Sequence, residues 1–302
     1  MSDGAGERVS EQGSAQAEQD DLAEDAAIAA AAAAVRSDGT AALVLDDLSV
    51  DYLPQLGSPR LTALVGLSLR LEAGEVLGIV GPTGSGKTTL TKVIGGLGGA
   101  EHDQELRLTG GRMTLLGTTV RGASRRKLER LRLHIGYLPQ EAGNQLLPNL
   151  TVAENIGEPI LSRDRRWDRK DLGIRVSTLM DRLHLPLGLL DRLPHELSSG
   201  QRQRVAIARS LILEPTVWVA DEPTRGIDVT AWQVVPQMLR EEQAARPEFT
   251  AVVTGHQLLL ESDILDRVLQ LERGAQVALA SREDYLASGT PYASVLQSFA
   301  RH

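Results

Sequence analysis

The segment Gly81, Pro82, Thr83, Gly84, Ser85, Gly86, Lys87, Thr88 and Thr89 constrains this chain more than any other. It follows the apolar run LVGLSLRLEAGEVLGIV and precedes Leu90, Val93, Ile94 and Leu97. Those four fall at i, i+3, i+4 and i+7, one apolar stripe on a helix beginning near Gly86. The order is therefore strand, glycine loop, helix. Glycines at 81, 84 and 86 let successive backbone N–H groups turn inward, and the positive end of the following helix dipole faces the same point. Such a loop is built to cradle phosphate oxygens. Lys87 adds a mobile full charge, and Thr88 a hydroxyl suited to Mg²⁺, a hard ion that prefers oxygen ligands.

Composition excludes several alternatives. The chain has 302 residues, 42% of them hydrophobic, enough to bury a large core. Near the N-terminus the longest charge-free apolar stretch, Ala26 to Val35, falls well short of the roughly 20 residues a spanning helix requires. It follows Asp20, Asp21, Glu24 and Asp25 where a secretory signal would carry basic residues, so a cytosolic chain is expected. With no cysteine there is no disulfide framework, thiolate metal site or sulfur nucleophile. Residues 1–40 hold nine acidic side chains against two arginines, which accounts for −7 of the net charge of −8. The body is near neutral and gives no electrostatic reason to expect nucleic acid as a partner.

Residues 1–40, rich in Ala, Gly, Ser, Gln and Glu and without an aromatic residue, are expected to form a disordered tail, and residues 41–302 one folded domain. VLDDLSVDYL and LVGLSLRLEAGEVLGIV are expected to be strands, as are TVWVAD and FTAVVTG, with Val229 to Glu242 helical between the last two. That alternation implies a parallel sheet covered by helices. Between 143 and 200 the strand patterns stop, and leucine-spaced, proline-punctuated sequence predicts an inserted helical subdomain. RVLQLERGAQVALAS predicts a hairpin turning around Arg273 and Gly274.

At the end of TVWVAD, where a parallel strand opens onto a ligand crevice, lie Asp221 and Glu222. Asp221 is placed to hold a Mg²⁺ shell. Glu222 is placed to orient or deprotonate an attacking water, a task for a carboxylate that the metal does not consume. In isolation such a pair is ordinary solvated surface. Twenty residues upstream of Asp221 ends Leu197-Ser-Ser-Gly-Gln201, followed by RQRVAIARSLILEP. With this segment the chain resembles the ABC ATPases.

The resemblance implies an α/β P-loop NTPase fold: a RecA-like parallel sheet core with an inserted helical subdomain and an antiparallel β subdomain. It implies ATP and Mg²⁺ as ligands, and a segment, here Ser198, Ser199, Gly200 and Gln201, that caps the γ-phosphate of ATP held by a second ATPase subunit. Ser199 stands where the family usually has glycine, and a serine there can still cap a helix. Gln140 in GYLPQ matches the residue that reaches metal and water, Asp228 in TRGID the one that touches the other subunit, and His256 the one that hydrogen-bonds the γ-phosphate. Tyr52, twenty-nine residues before Gly81, is placed like the aromatic that stacks on adenine. Taken singly, Gln140 would read as a loop amide, Asp228 as a turn former, His256 as a surface or core histidine and Tyr52 as a strand former. Arg202, Arg204, Arg209 and Arg225 read as solvated or paired structural charges.

PHELSSGQRQRVAIARSLILEP, ADEPTRGIDVT, LLPNLTVAENIGEPI and GTPYASVLQS are similar to the ATPase subunits of oligopeptide, dipeptide and nickel importers. That branch implies two membrane-spanning permease subunits, a paired ATPase subunit and an extracytoplasmic solute-binding protein, with this chain on the cytoplasmic membrane face. Many members of the branch carry a C-terminal cysteine cluster, which this chain lacks. The alternative is a soluble ABC-type ATPase that remodels a macromolecular complex, since the motifs specify nucleotide chemistry and not its destination. A catalytically silent scaffold would lack a carboxylate or histidine at 222 or 256, and both are present.

Overall fold

Short runs that are almost wholly apolar, VLGIV, VWVA and TAVVT, have no polar face to offer water, and each becomes a strand buried along its whole length. The computed structural model describes residues 41–53, 61–96, 106–227, 232–255 and 263–288. In chain order the elements are β1 (Ala41–Tyr52), β2 (Leu61–Glu72), β3 (Val76–Val80), α1 (Lys87–Gly96), β4 (Leu106–Leu115), β5 (Thr118–Thr119), α2 (Arg125–Leu131) and β6 (Ile135–Leu138). There follow α3 (Val152–Leu161), α4 (Arg169–Arg182), α5 (Ser199–Leu211), β7 (Val217–Ala220), α6 (Val234–Ala245), β8 (Thr250–Thr254), β9 (Arg267–Glu272), β10 (Ala275–Ser281) and α7 (Arg282–Ala287).

Among the described residues the strands form one sheet in the order β5-β4-β1-β2-β10-β9-β3-β8-β7-β6. From β9 to β6 all neighbours are parallel, while β5, β4, β1 and β2 pair antiparallel. β10 joins the two regions, antiparallel to β9 and touching β2 through Ala275 and Val65. The run LVGLSLRLEAGEVLGIV thus divides into β2 and β3 at the turn before Val76, where Gly74 has φ +84°.

Alternate residues of the parallel strands enter two cores. Leu77, Ile79, Val217, Val219 and Val252 face α1 and the antiparallel strands, packing with Leu90, Val93 and Ile94. Val76, Val80, Trp218, Ala220, Ala251 and Val253 face the other way, onto a core shared with α3 to α7. Between β6 and β7 there is no strand, and the helical stretch runs on through Leu211. Its attachment to the sheet layer is partly ionic: the buried Glu242 of α6 accepts from Arg182 of α4 at 2.7 Å and also from Arg246.

Helix starts follow local capping. Thr151 opens α3 in a capping box with Glu154, and Ser198 opens α5 in one with Gln201. The helix expected from Val229 begins at Val234 instead. Pro236 has no N–H to give, so it is accommodated only in the first turn, and Trp232 and Gln233 form a turn ahead of it. The proposed tail 1–40, with Asp228 and His256, lies outside the described residues.

Gly136 on β6 shows how tightly the sheet meets α5. A Cβ there would lie 2.4 Å from the Ser210 carbonyl oxygen and 2.8 Å from Trp218, whose indole N–H donates to Ser210 Oγ at 2.9 Å. Gly136→Ala is expected to lower unfolding stability by about 1–3 kcal/mol through overpacking, read as a reduced urea midpoint at unchanged m-value.

Candidate functional site

The parallel strands all end at one edge, and the residues following those ends build the site. After β3 comes the loop Gly81–Gly86. Gly81 has φ +148°, and a Cβ on it would meet the Leu271 carbonyl oxygen at 2.2 Å; one on Gly86, at φ +103°, would meet Leu64 at 2.7 Å. The loop therefore lies directly against β9 and β2, an approach only glycine permits. The β9–β10 turn completes the clamp: the Gly274 N–H donates to the Ser85 carbonyl at 3.0 Å, and the Val65 N–H donates to the Gly274 carbonyl at 2.9 Å.

Within the loop Lys87 Nζ donates to the carbonyls of Gly81 (2.8 Å) and Pro82 (2.9 Å). Burial pulls its pKa below the usual lysine value, while the carboxylates of Glu222 and Asp221 act to raise it. The three charges thus share one electrostatic neighbourhood. Ser85 Oγ is buried with no hydrogen-bond partner among the described residues. At the end of β1, the Tyr52 hydroxyl and Thr89 Oγ1 are hydrogen-bonded at 3.0 Å. Tyr52, Lys87, Thr88, Thr89 and Arg273 border an open cleft of about 500 Å³.

After β7 come Asp221 and Glu222. Asp221 is 1% exposed; its Oδ1 accepts the Thr254 hydroxyl at 2.5 Å, and its Oδ2 has no hydrogen-bond partner among the described residues. The Thr254 oxygen in turn accepts the Glu222 N–H at 2.9 Å. Glu222 has φ +51°, a left-handed conformation that costs a side-chain-bearing residue about 1–2 kcal/mol. Its Oε2 accepts from Gln140 Nε2 (3.2 Å), beyond the end of β6, and from Arg225 Nη1 (2.9 Å). Arg225 also pairs with Glu141 at 3.1 Å.

The segment Leu197-Ser-Ser-Gly-Gln201 starts α5 on the helical side. The Ser198 hydroxyl accepts the Gln201 N–H at 3.2 Å, and Gln201 Oε1 accepts the Ser198 N–H at 2.9 Å. Gly200 packs against the loop after Glu222, since a Cβ there would lie 3.3 Å from the Gly226 carbonyl oxygen, to which Ser199 Oγ donates at 3.4 Å. Among the described residues no hydrogen bond joins Ser198–Gln201 to Gly81–Thr89. The structure brings the loop, Tyr52, Asp221, Glu222 and Gln140 toward one edge and sets the serine-glycine segment apart on its own helix.

Two participants, Thr254 and Gly274, escape the sequence reading. Arg225, read as a solvated or paired charge and given no role, is paired, and one of its partners is the Glu222 carboxylate. Arg202, Arg204 and Arg209 do behave as structural charges, bonding the carbonyls of Leu197 and His184 and the carboxylate of Glu158. Thr254 closes the Asp221–Glu222 junction, and its only signal is a hydroxyl at the carboxyl end of an apolar strand. Gly274 was legible as a turn, but not as the clamp on the Gly81–Gly86 loop.

Known proteins similar to this chain in sequence and fold share one family. The family model described as ABC transporter matches residues 64–225. The oligopeptide transport ATP-binding protein OppF of Salmonella typhimurium is 34% identical over 239 residues, 79% of this chain and 69% of its own. A putative peptide import ATP-binding protein of Brucella ovis is 34% identical over 248 residues, 81% of this chain and 74% of its own. Among solved structures, the dimeric post-hydrolysis state of the ATP-binding cassette MJ0796 bound to ADP and Pi matches with a TM-score of 0.69 at 27% identity, over 80% of this chain and 98% of that one. CbiO1 from Clostridium perfringens, part of the ABC transporter complex cbiONQ, matches at 0.67 and 26%, over 82% and 91%. The chain belongs to the ABC transporter family. It is an ATP-binding subunit that hydrolyses ATP.

Thr254→Val would leave the Asp221 Oδ1 and the Glu222 N–H, both at the end of the parallel core, without their shared partner. A stability loss of about 1–3 kcal/mol is expected, measurable by chemical denaturation.

Proposed function

We propose that this chain is the ATPase subunit of an importer of peptides or a related small solute, and that ATP closes two such subunits into a sandwich whose closure drives the membrane subunits. The observation that carries the reading is the convergence of Lys87, Asp221 and Glu222 at the carboxyl edge of the parallel sheet. The importer assignment draws on the named relatives, which are peptide-transport ATP-binding proteins.

In this reading the N–H groups of Gly81–Thr89 and the Lys87 ammonium hold the phosphates, Lys87 exchanging the Gly81 and Pro82 carbonyls for phosphate oxygens. Tyr52, bordering the same cleft, stacks on the adenine. The donor set fits Mg²⁺: the Thr88 hydroxyl, the Gln140 side chain and Asp221 Oδ2, a buried carboxylate oxygen with no described partner. When bound, the ion neutralises charge on the phosphates.

Glu222 aligns the attacking water and accepts its proton. Gln140 and Arg225 both bond Oε2, leaving Oε1 without a hydrogen bond among the described residues and open to that water. The carboxylate is fixed by two donors and by the backbone bond to Thr254, so orientation is set before substrate arrives. His256 completes the γ-phosphate contacts, and Asp228 the contact with the second subunit. Ser198, Ser199, Gly200 and Gln201 cap the nucleotide of that second subunit, which explains why they stand apart from the chain's own phosphate loop.

No helix among the described residues is long and apolar enough to cross a membrane. In the proposed assembly two permease subunits carry the solute, this chain docks peripherally on their cytoplasmic face, and a solute-binding protein delivers cargo from outside. No nucleic-acid partner is proposed.

Glu222→Gln is expected to slow ATP hydrolysis by roughly 10²- to 10⁴-fold with ATP binding retained, by phosphate-release assay and nucleotide titration; comparable turnover would remove Glu222 from its role. The same variant, purified with ATP from detergent-solubilised host membranes, is expected to bring down two multispanning proteins by mass spectrometry. Soluble partners alone would favour a complex-remodelling ATPase.

A further inference from the structure

Gln203 stands in the first turns of α5 and is 3% exposed. Its Oε1 accepts the Gly143 N–H at 3.1 Å, and its Nε2 donates to the Pro223 carbonyl at 3.3 Å. The orientation of the amide is dictated by its neighbours, since reversing it would set N–H against N–H and carbonyl against carbonyl. Gly143 lies three residues beyond Gln140, and Pro223 follows Glu222 directly. One buried side chain therefore holds the segment that carries Gln140, the segment that carries Glu222 and the helix that begins at Ser198.

Backbone packing closes the same junction. A Cβ on Gly143 would lie 2.8 Å from the Gln203 nitrogen and 3.0 Å from the Arg202 carbonyl carbon, so the turn Ala142–Gln145 lies flat on the start of α5. On the other side a Cβ on Gly200 would lie 3.3 Å from the Gly226 carbonyl oxygen and 3.5 Å from the Ile227 Cα, so the start of α5 also sits close against the loop after Glu222. Neither segment can shift relative to α5 without breaking a hydrogen bond in a buried setting, where an unpaired donor or acceptor is costly. A displacement at Ser198–Gln201 that kept these bonds would carry the loops of Glu222 and Gln140 with it.

We propose that Gln203 is a positioning residue for ATP hydrolysis: its buried amide locks the start of α5 to the Gln140 and Glu222 segments, so that the setting of Glu222 depends on the seat of Ser198–Gln201. The inference rests on Glu222 being the catalytic carboxylate. Because Ser198–Gln201 is assigned to the nucleotide of the second subunit, Gln203 is then the link by which one nucleotide's capture tunes hydrolysis of the other.

The test is steady-state hydrolysis by the full chain, comparing wild type, Gln203→Met, Gln203→Glu, Glu222→Gln and the Gln203→Met/Glu222→Gln double variant. Methionine keeps the volume and removes both hydrogen bonds; ionised glutamate keeps the acceptor for Gly143 and sets an oxygen, with no donor, against the Pro223 carbonyl. The expected result for Gln203→Met is a kcat lower by roughly tenfold or more, with KM for ATP within about twofold of wild type. In the Glu222→Gln background the same change is expected to add less than about twofold, because its effect runs through that carboxylate. Unchanged kcat in Gln203→Met, a KM that rises in proportion, or a full additive loss in the double variant would each overturn the proposal. Should Gln203→Met fail to fold by thermal melt, Gln203→Glu decides it: reduced kcat at constant KM supports the link, and unchanged kcat overturns it. Hydrolysis insensitive to Glu222→Gln would instead overturn the reading of Glu222, an outcome recognised without any Gln203 variant.

Discussion

The parallel core is apolar on both faces, and that burial dictates where polar chemistry can stand. β3, β7 and β8 give alternate side chains to two separate cores, so none of them has a water-facing side on which a carboxylate or an ammonium could sit. Only the strand ends remain. Each of the five parallel strands contributes there: β3 the Gly81–Gly86 loop, β7 Asp221 and Glu222, β8 Thr254, β6 Gln140, and β9 the turn with Gly274. The crevice beyond the carboxyl ends is the general ligand position of open α/β sheets. In this chain it is assembled by direct hydrogen bonds between neighbouring strand ends.

Two hydroxyl and glycine contacts convert that coincidence of ends into fixed geometry. Thr254 donates to Asp221 and accepts from the Glu222 backbone, so the two carboxylates are set by a residue from the adjacent strand. Gly274 joins the Gly81–Gly86 loop to β2, tying the parallel core to the antiparallel region that carries Tyr52. Both devices cost the chain conformational freedom, as does the left-handed Glu222, and such strain is held only where surrounding structure over-determines it.

The Gly81–Gly86 loop between strand and helix, the strands around it and the strand-end position of Asp221 and Glu222 were legible in sequence because each obeys a local rule: glycine spacing, uninterrupted apolar runs, polar residues at a strand end. The hairpin at Arg273 and Gly274 was legible for the same reason. What escaped depends on contacts between segments far apart in sequence. Arg225 looks like any loop arginine until β7 and the turn after it bring it to Glu222. Thr254 looks like a strand threonine until β8 is placed beside β7. Gln203 lies in a run of arginines and glutamines whose helical spacing does not reveal that it alone of the run turns toward both Gly143 and Pro223. The start of α6 was misplaced because apolar periodicity was followed past Pro236, whose missing N–H sets the first turn.

On the proposed function, one ATP with its metal sits at the carboxyl edge of the parallel sheet. The most direct measurement is a crystal structure of the chain with Mg²⁺ and a non-hydrolysable ATP analogue. The expected result is phosphates inside Gly81–Thr89, the ion about 2.0–2.1 Å from the Thr88 hydroxyl with Asp221 in its shell, and the terminal phosphate facing Glu222. Phosphates bound elsewhere, or an ion shared by neither Thr88 nor Asp221, would contradict it.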